Sequence, residues 1–204
     1  MHASTIAPVA ESICYGSRMS DELVWRLGAR LPGHDYKVFR TAFVDGQHPP
    51  TGKAMRFSLI EATDWVNILA LTRDDRVVMI RQYRAGIDRV CLEIPGGMID
   101  AGEEPLGAAA RELAEETGYT ARTWRQIGCV APNPAIQNNR LYSFLALDAE
   151  PTGAPRPEGN EVIALELVPL SDVRTLLVDG TIDHALVIAA FAHVAFQLHE
   201  LRRP

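Results

Sequence analysis

Apolar and polar residues alternate in short runs along most of this chain and change to a three-and-four spacing in two places. Strands are predicted for Tyr36 to Val44, for the alternating run through Met55, Phe57 and Leu59, and for Val66 to Leu71, Val77 to Arg84 and Val90 to Ile94. Further strands are predicted for Trp124 to Val130, Leu141 to Leu147 and Val162 to Val168. The Pro- and Gly-rich stretch Gly46 to Gly52 reads as a turn, and Asp74-Asp75 as the turn of a hairpin. Leu106, Ala109, Ala110 and Leu113 form one buried stripe, with Pro105 suited to a first helical turn and Gly118 to the left-handed residue past the end, so a helix lies between them. Ser171 suits the cap of a short helix ended by Gly180, and Asp183 opens a long C-terminal helix with Ile188, Phe191, Val194 and Leu198 facing inward. Met1 to about Gly33 shows no clear period, and its composition leaves room for disorder.

Mixed strands around one central helix, closed by further helices, give an α/β fold: an α/β/α sandwich with a mixed sheet. A small antiparallel β subdomain within residues 1–60 is expected ahead of the main domain, residues 61–204. There are no internal repeats and no low-complexity tract.

Composition narrows the class. With 204 residues, 47% hydrophobic and 23% charged, the chain can bury a full core. A net charge of −6 argues against general nucleic-acid binding, which needs a basic face, and no apolar run reaches the length of a membrane span. A cytoplasmic protein is expected. Cys14, Cys91 and Cys129 are odd in number and lack C-x-x-C spacing, so they read as free thiols without a role.

The densest chemistry lies between Gly97 and Tyr119. Glu112 and Glu116 are four residues apart and Glu115 is three from Glu112, so three carboxylates share one side of the last helical turns. Each such like-charge pair costs roughly 0.2–0.5 kcal/mol, and negative charge near a helix C-terminus opposes the macrodipole. Arg111 offsets only part of this. A hard divalent cation, which prefers oxygen ligands, is the simplest compensation, Mg²⁺ or Mn²⁺ first. Gly96-Gly97 and Gly102 let backbone approach a ligand closely, and Glu103 enters the helix from that loop as a fourth carboxylate.

The run resembles the Nudix box, Gly-x5-Glu-x7-Arg-Glu-U-x-Glu-Glu-x-Gly-U, with U a bulky aliphatic residue. Gly97, Glu103, Arg111, Glu112, Leu113, Glu115, Glu116 and Gly118 stand at its fixed positions, and the one departure is Tyr119 at the last U. The resemblance implies the Nudix-type sandwich already expected. It also implies Glu112 and Glu116 as core metal ligands, Glu103 and the Gly96 carbonyl joining the shell, Glu115 assisting catalysis, and Arg111 orienting the carboxylates.

Flanking segments resemble ADP-ribose and nucleoside diphosphate-sugar pyrophosphatases: Gln82-Tyr83-Arg84, Glu93-Ile94-Pro95-Gly96-Gly97, Pro134 beyond the box, and Gly180-Thr181-Ile182-Asp183-His184-Ala185. Asn133 to Arg140 departs from the better-studied members. The implied activity is metal-dependent hydrolysis of the diphosphate bond in a nucleoside diphosphate-linked small molecule, ADP-ribose first, giving AMP and ribose 5-phosphate. GDP-mannose, UDP-sugars and dinucleoside polyphosphates stay open as substrates, and a non-catalytic nucleotide sensor is the alternative of another class.

By the same resemblance a loop acid supplies the base, and Glu158 and Glu161 are the candidates for base or extra ligand. Arg84 suits a phosphate with its planar fork, or else a surface pair. Gly97 and Pro134 complete the substrate-side candidates. Trp65 reads as core or as a stacking platform. His34, His48, His184 and His193 lack metal-ligand spacing and read as structural. A homodimer formed through the N-terminal subdomain is expected from the resemblance.

Overall fold

A computed structural model describes residues 23–201, residues 158 and 160 apart. These residues fall into two compact units. One holds the described residues up to Ala62 together with Ala135–Asn138, and the other holds Thr63–Pro134 and the described residues from Asn139 onward.

The first unit is an antiparallel sheet of β1 (Arg26–Asp35), β2 (Arg40–His48) and β3 (Lys53–Glu61), in that order. In β2 the alternation is plain: Ala42, Val44 and Gly46 are buried and their neighbours are not. Strand β1 arises where the sequence shows no period. Every residue of it is exposed, so no buried face imprints alternation, and the ladder to β2, with Arg30 opposite Val44 and Leu31 opposite Phe43, is what makes it a strand. The strand expected from Tyr36 begins instead at Arg40. Lys37 adopts φ 71, Tyr36 donates its N–H to the Phe39 carbonyl at 2.8 Å, and the two rings stack 4.9 Å apart, so the aromatics close a turn. Strand β2 then runs through Gly46, and the following turn shortens to end at Gly52, φ 68.

The second unit carries an eight-stranded sheet. Its strands are β4 (Trp65–Thr72), β5 (Arg76–Arg84), β6 (Arg89–Glu93), β7 (Gly96–Met98), β8 (Tyr119–Thr120), β9 (Thr123–Val130), β10 (Leu141–Pro151) and β11 (Ile163–Pro169). The path is β11-β5-β4-β10-β8, with β6 on β5, β7 on β4 and β9 on β10. The β4–β10 pair is parallel and its neighbours antiparallel, so the sheet is mixed.

Alternation along the central strands splits the core in two. Val66, Ile68 and Ala70 of β4, with Val78, Phe144 and Ala146, pack against Ala108, Ala109 and Leu113 of α1 (Pro105–Thr117). Leu69, Val77, Met79, Ile127 and Leu145 face the other way, toward Val173 of α2 (Leu170–Val178) and Val187, Ala190 and Phe191 of α3 (Ala185–Leu201). This is the expected α/β/α sandwich.

The helix ends and faces differ in detail. Pro105 opens α1 and Gly118, φ 72, closes it by donating its N–H to the Ala114 carbonyl. Its buried stripe is Ala108, Ala109, Leu113, Glu116 and Thr117, while Ala110 is exposed, because the helix is rotated so that Glu116 points in. Pro169, not Ser171, holds the cap position of α2; Ser171 lies inside the helix and bonds Asp172. At α3 the His184 carbonyl accepts the first helical N–H groups, from Val187 and Ile188, and Asp183 pairs with Arg89 instead of capping. Ile188 is exposed and Val187 takes its inward place, with Asn67 donating to the Leu186 carbonyl at 2.9 Å to fix the rotation. The inward placement of Leu198 lies outside the described side chains. Among the described residues no helix is long and apolar enough to cross a membrane.

Candidate active site

Three elements of the second unit build the site: the short strand β7, the helix α1 and the β5–β6 hairpin. Gly96 and Gly97 lie on β4 opposite Asn67 and Val66. A side chain at Gly96 would meet the Val66 carbonyl and come within 2.9 Å of the Asn67 Cα, and one at Gly97 would run into the Glu112 carboxylate. Both glycines are therefore demanded by close approach, of strand to strand and of strand to helix.

Glu116 is turned inward at 4% exposure and accepts the Gly96 N–H at 2.9 Å. Burial pushes its carboxyl up to about 8, outweighing the Gly96 hydrogen bond; the charges of Glu112 and Glu161 push the same way and Arg84 opposes them. Burial also raises Glu112, partly offset by its pairing with Arg111. A carboxylate held this unfavourably is relieved by a proton or by a nearby cation.

Arg111 supplies one, shared three ways. Its guanidinium donates to Glu103 at 2.9 and 3.1 Å, to Glu112 at 2.9 Å and to Glu115 at 3.1 Å, and also to the Met98 carbonyl at 3.1 Å. Arg111 is held firmly charged by these partners and Glu103 lies below the usual carboxylate range. One cation thus faces three carboxylates directly, with Glu116 and Glu161 adding to the negative field.

The other candidates are placed as follows. Glu161 is exposed, and its charge is felt by both Glu112 and Glu116. Glu158 lies outside the described residues. Arg84 projects from the end of β5 and grips Glu93 of β6 by Nε and Nη2 at 2.9 and 2.8 Å. Pro134 is an exposed turn residue, not part of the hydrogen-bonded set around Arg111. Trp65 is partly buried in β4, in register with Met98 and Leu141. Cys91 is a buried and Cys129 an exposed free thiol, whereas Cys14 falls outside the described residues.

Sequence patterning gives Glu93 no role of its own, yet it is only 2% exposed and meets both Arg84 and, at 3.5 Å, the Nδ1 of His184. The available signal was an acid inside the apolar run Val90 to Ile94, which requires a partner.

Among the described residues no three acidic, histidine or cysteine groups already stand at ligand spacing. The fit to a metal rests on donor chemistry. Glu112 and Glu116 are desolvated oxygen donors with surplus negative charge between them, beside the backbone of Gly96, and this suits a hard divalent cation.

Known proteins resemble this chain in the same region. A family model for the NUDIX domain matches residues 63–191. An ADP-ribose pyrophosphatase of Bacillus subtilis (strain 168) is 36% identical over 104 residues, which are 51% of this chain and 56% of that protein. An ADP-ribose pyrophosphatase of Mycobacterium tuberculosis is 29% identical over 142 residues, 69% of each chain. The match thus spans little more than half the length of the Bacillus relative. The crystal structure of an ADP compounds hydrolase superposes with a TM-score of 0.77, covering 88% of this chain and 97% of that one at 23% identity, and so shares the fold.

Proposed function

The chain belongs to the NUDIX family, and from that premise we propose that it hydrolyses the diphosphate bond of a nucleoside diphosphate-linked small molecule with the help of Mg²⁺ or Mn²⁺. ADP-ribose is the first substrate, with water consumed and AMP and ribose 5-phosphate released. The names of the two relatives support this choice. The observation that carries the reading is the desolvated pair Glu112 and Glu116, pressed against Gly96-Gly97 and left with more negative charge than Arg111 can balance.

In this mechanism Glu112, Glu116, Glu103 and the Gly96 carbonyl would hold the cation. When bound, the metal neutralises phosphate charge and lowers the pKa of water. Arg111 keeps Glu103, Glu112 and Glu115 from springing apart. Arg84 takes a phosphate oxygen, and Glu161 accepts a proton from the attacking water, whose oxygen bonds to phosphorus as the bridging P–O bond breaks. Glu115 assists from beside Glu112, and Gly97 leaves room for both carboxylate and substrate.

The reading extends to a cytoplasmic homodimer. The exposed Leu27, Leu31, Phe43 and Met55 on the first unit's strands support an N-terminal interface. Sedimentation would show twice the chain mass if this holds and the chain mass if it does not. For the activity, the purified protein is assayed with ADP-ribose, GDP-mannose, a UDP-sugar and a dinucleoside polyphosphate, with and without Mg²⁺ or Mn²⁺. AMP and ribose 5-phosphate should form only with metal, ADP-ribose having the highest kcat/KM. Tight binding without turnover of any substrate would replace the enzyme by a nucleotide sensor.

A further inference from the structure

The guanidinium of Arg84 has two edges able to grip an oxoanion side by side, and only one of them is used. Its Nε–Nη2 edge is closed on Glu93 at 2.9 and 2.8 Å, while among the described residues its Nη1–Nη2 edge makes no hydrogen bond. The two partners differ sharply in exposure: the Glu93 side chain is 3% exposed and that of Arg84 is 41% exposed. Glu93 is set by β-sheet register, opposite Ile80 of β5, and it sits between Leu92 and Ile94, both buried in the core. The carboxylate therefore has a fixed position, and the arginine that it holds reaches outward, close enough to Glu116 for its charge to be felt there. A pair serving stability alone gains little from such an arrangement, since apolar side chains of similar volume do as well.

His184 adds a third member. Its Nδ1 lies 3.5 Å from Glu93 Oε2, at the entry to α3, and has no hydrogen-bond partner. Arg89 with Asp183, and Asn67 with the Leu186 carbonyl, fasten the same turn to the sheet. The buried carboxylate is thus braced on one side by β5 and on the other by the start of α3.

Building on the proposed function, in which Arg84 grips a substrate phosphate, we propose that Glu93 is a positioning residue: it mounts Arg84 so that the free guanidinium edge is preset for the diphosphate, with His184 bracing the mount. Preorganisation of this kind acts on binding, because the arginine's rotamers are fixed before the substrate arrives.

A double-mutant cycle on the full chain tests this, using KM and kcat for ADP-ribose with Mg²⁺ and the Kd of its non-hydrolysable methylene-bridged analogue. Arg84→Ala should raise KM and Kd by roughly thirtyfold, and Glu93→Gln by about tenfold with kcat changed less than about threefold. Combining the two should cost no more than Arg84→Ala alone, within about twofold, because the mount has nothing left to position. His184→Asn, which loosens the brace without emptying the carboxylate, should raise KM about two- to threefold at unchanged Tm.

A rise in Arg84→Ala with none in Glu93→Gln, or a double variant whose effect is the product of the singles, overturns the mount and leaves the proposed function standing. Unchanged KM and Kd in Arg84→Ala overturn the phosphate role itself, and the mount with it. If Glu93→Gln does not fold, an unchanged KM in His184→Asn overturns the proposal.

Discussion

Two arginine–glutamate clusters of the second unit leave different capacities unused, negative charge around Arg111 and a hydrogen-bond donor edge on Arg84. Around Arg111 three carboxylates share one guanidinium, and Glu116 beside them is buried and feels the further negative charge of Glu112 and Glu161. Around Arg84 a single buried carboxylate occupies one edge of the guanidinium and leaves the other open. In the proposed function, the same two residue types thus prepare one place for a cation and another for an anion. Stoichiometry and burial decide which, and residue identity alone does not.

The largest break in this contrast comes from Glu116→Gln, which removes one charge at nearly constant volume from the acidic cluster. Turnover should fall on the order of a thousandfold with the circular dichroism spectrum intact and Tm not lowered, comparable to losing a preorganised electrostatic group. Retained turnover would show that the inward acid is structural. Next in size is Gly97→Ala. Its methyl group would displace the Glu112 carboxylate, so the metal concentration for half-maximal activity should rise about 10- to 100-fold. Titration with Mg²⁺ measures this directly.

A third test reads the unspent negative charge without any substrate. Glu116 has a folded pKa of about 8, above its usual carboxylate value, so the folded state binds more protons than the unfolded chain between the two values. Stability of the metal-free protein should therefore be fully present at about pH 4 and decline as pH rises through about 8, by a few kcal/mol at most. Glu116→Gln should flatten that slope, and Mg²⁺ should restore Tm at the high end. A thermal-denaturation series against pH that stays flat in the wild type would contradict the burial argument. The smallest effect is expected for Arg81→Ala, which deletes an exposed pair with Glu166 that bonds to neither cluster; urea unfolding should register less than about 1 kcal/mol.

Much of the sandwich can be read from the sequence because its central strands and α1 each bury one face, and because Pro105 and Gly118 mark the ends of α1. Strand β1 cannot be read, since a strand exposed along its whole length keeps no alternation. The inward rotation of α1 is equally hidden. Ala108 and Ala110 are the same residue type, and only the demand of Glu116 for the Gly96 N–H tells which of them is buried. For the site, local spacing brings Arg111, Glu112, Glu115 and Glu116 together on one helix. The link between Arg84 and Glu93 depends on hairpin register, and that between Glu93 and His184 on where α3 docks, so neither is visible in one dimension.

The parallel pairing of β4 with β10 has a consequence for how the molecule comes into being. Trp65 finds Leu141, and Leu71 finds Leu147, only after the hairpins, the acidic helix and β9 have been synthesised between them. Closing so long a segment is entropically slow, so this pair belongs to the late steps of folding. On the ribosome, the glutamate-rich helix therefore emerges well before β10, the strand that pairs with β4 beneath it. A nascent chain halted ahead of Leu141 should remain protease-sensitive, and one released beyond α3, which with β11 and α2 closes the other half of the core, should acquire protection in a single step.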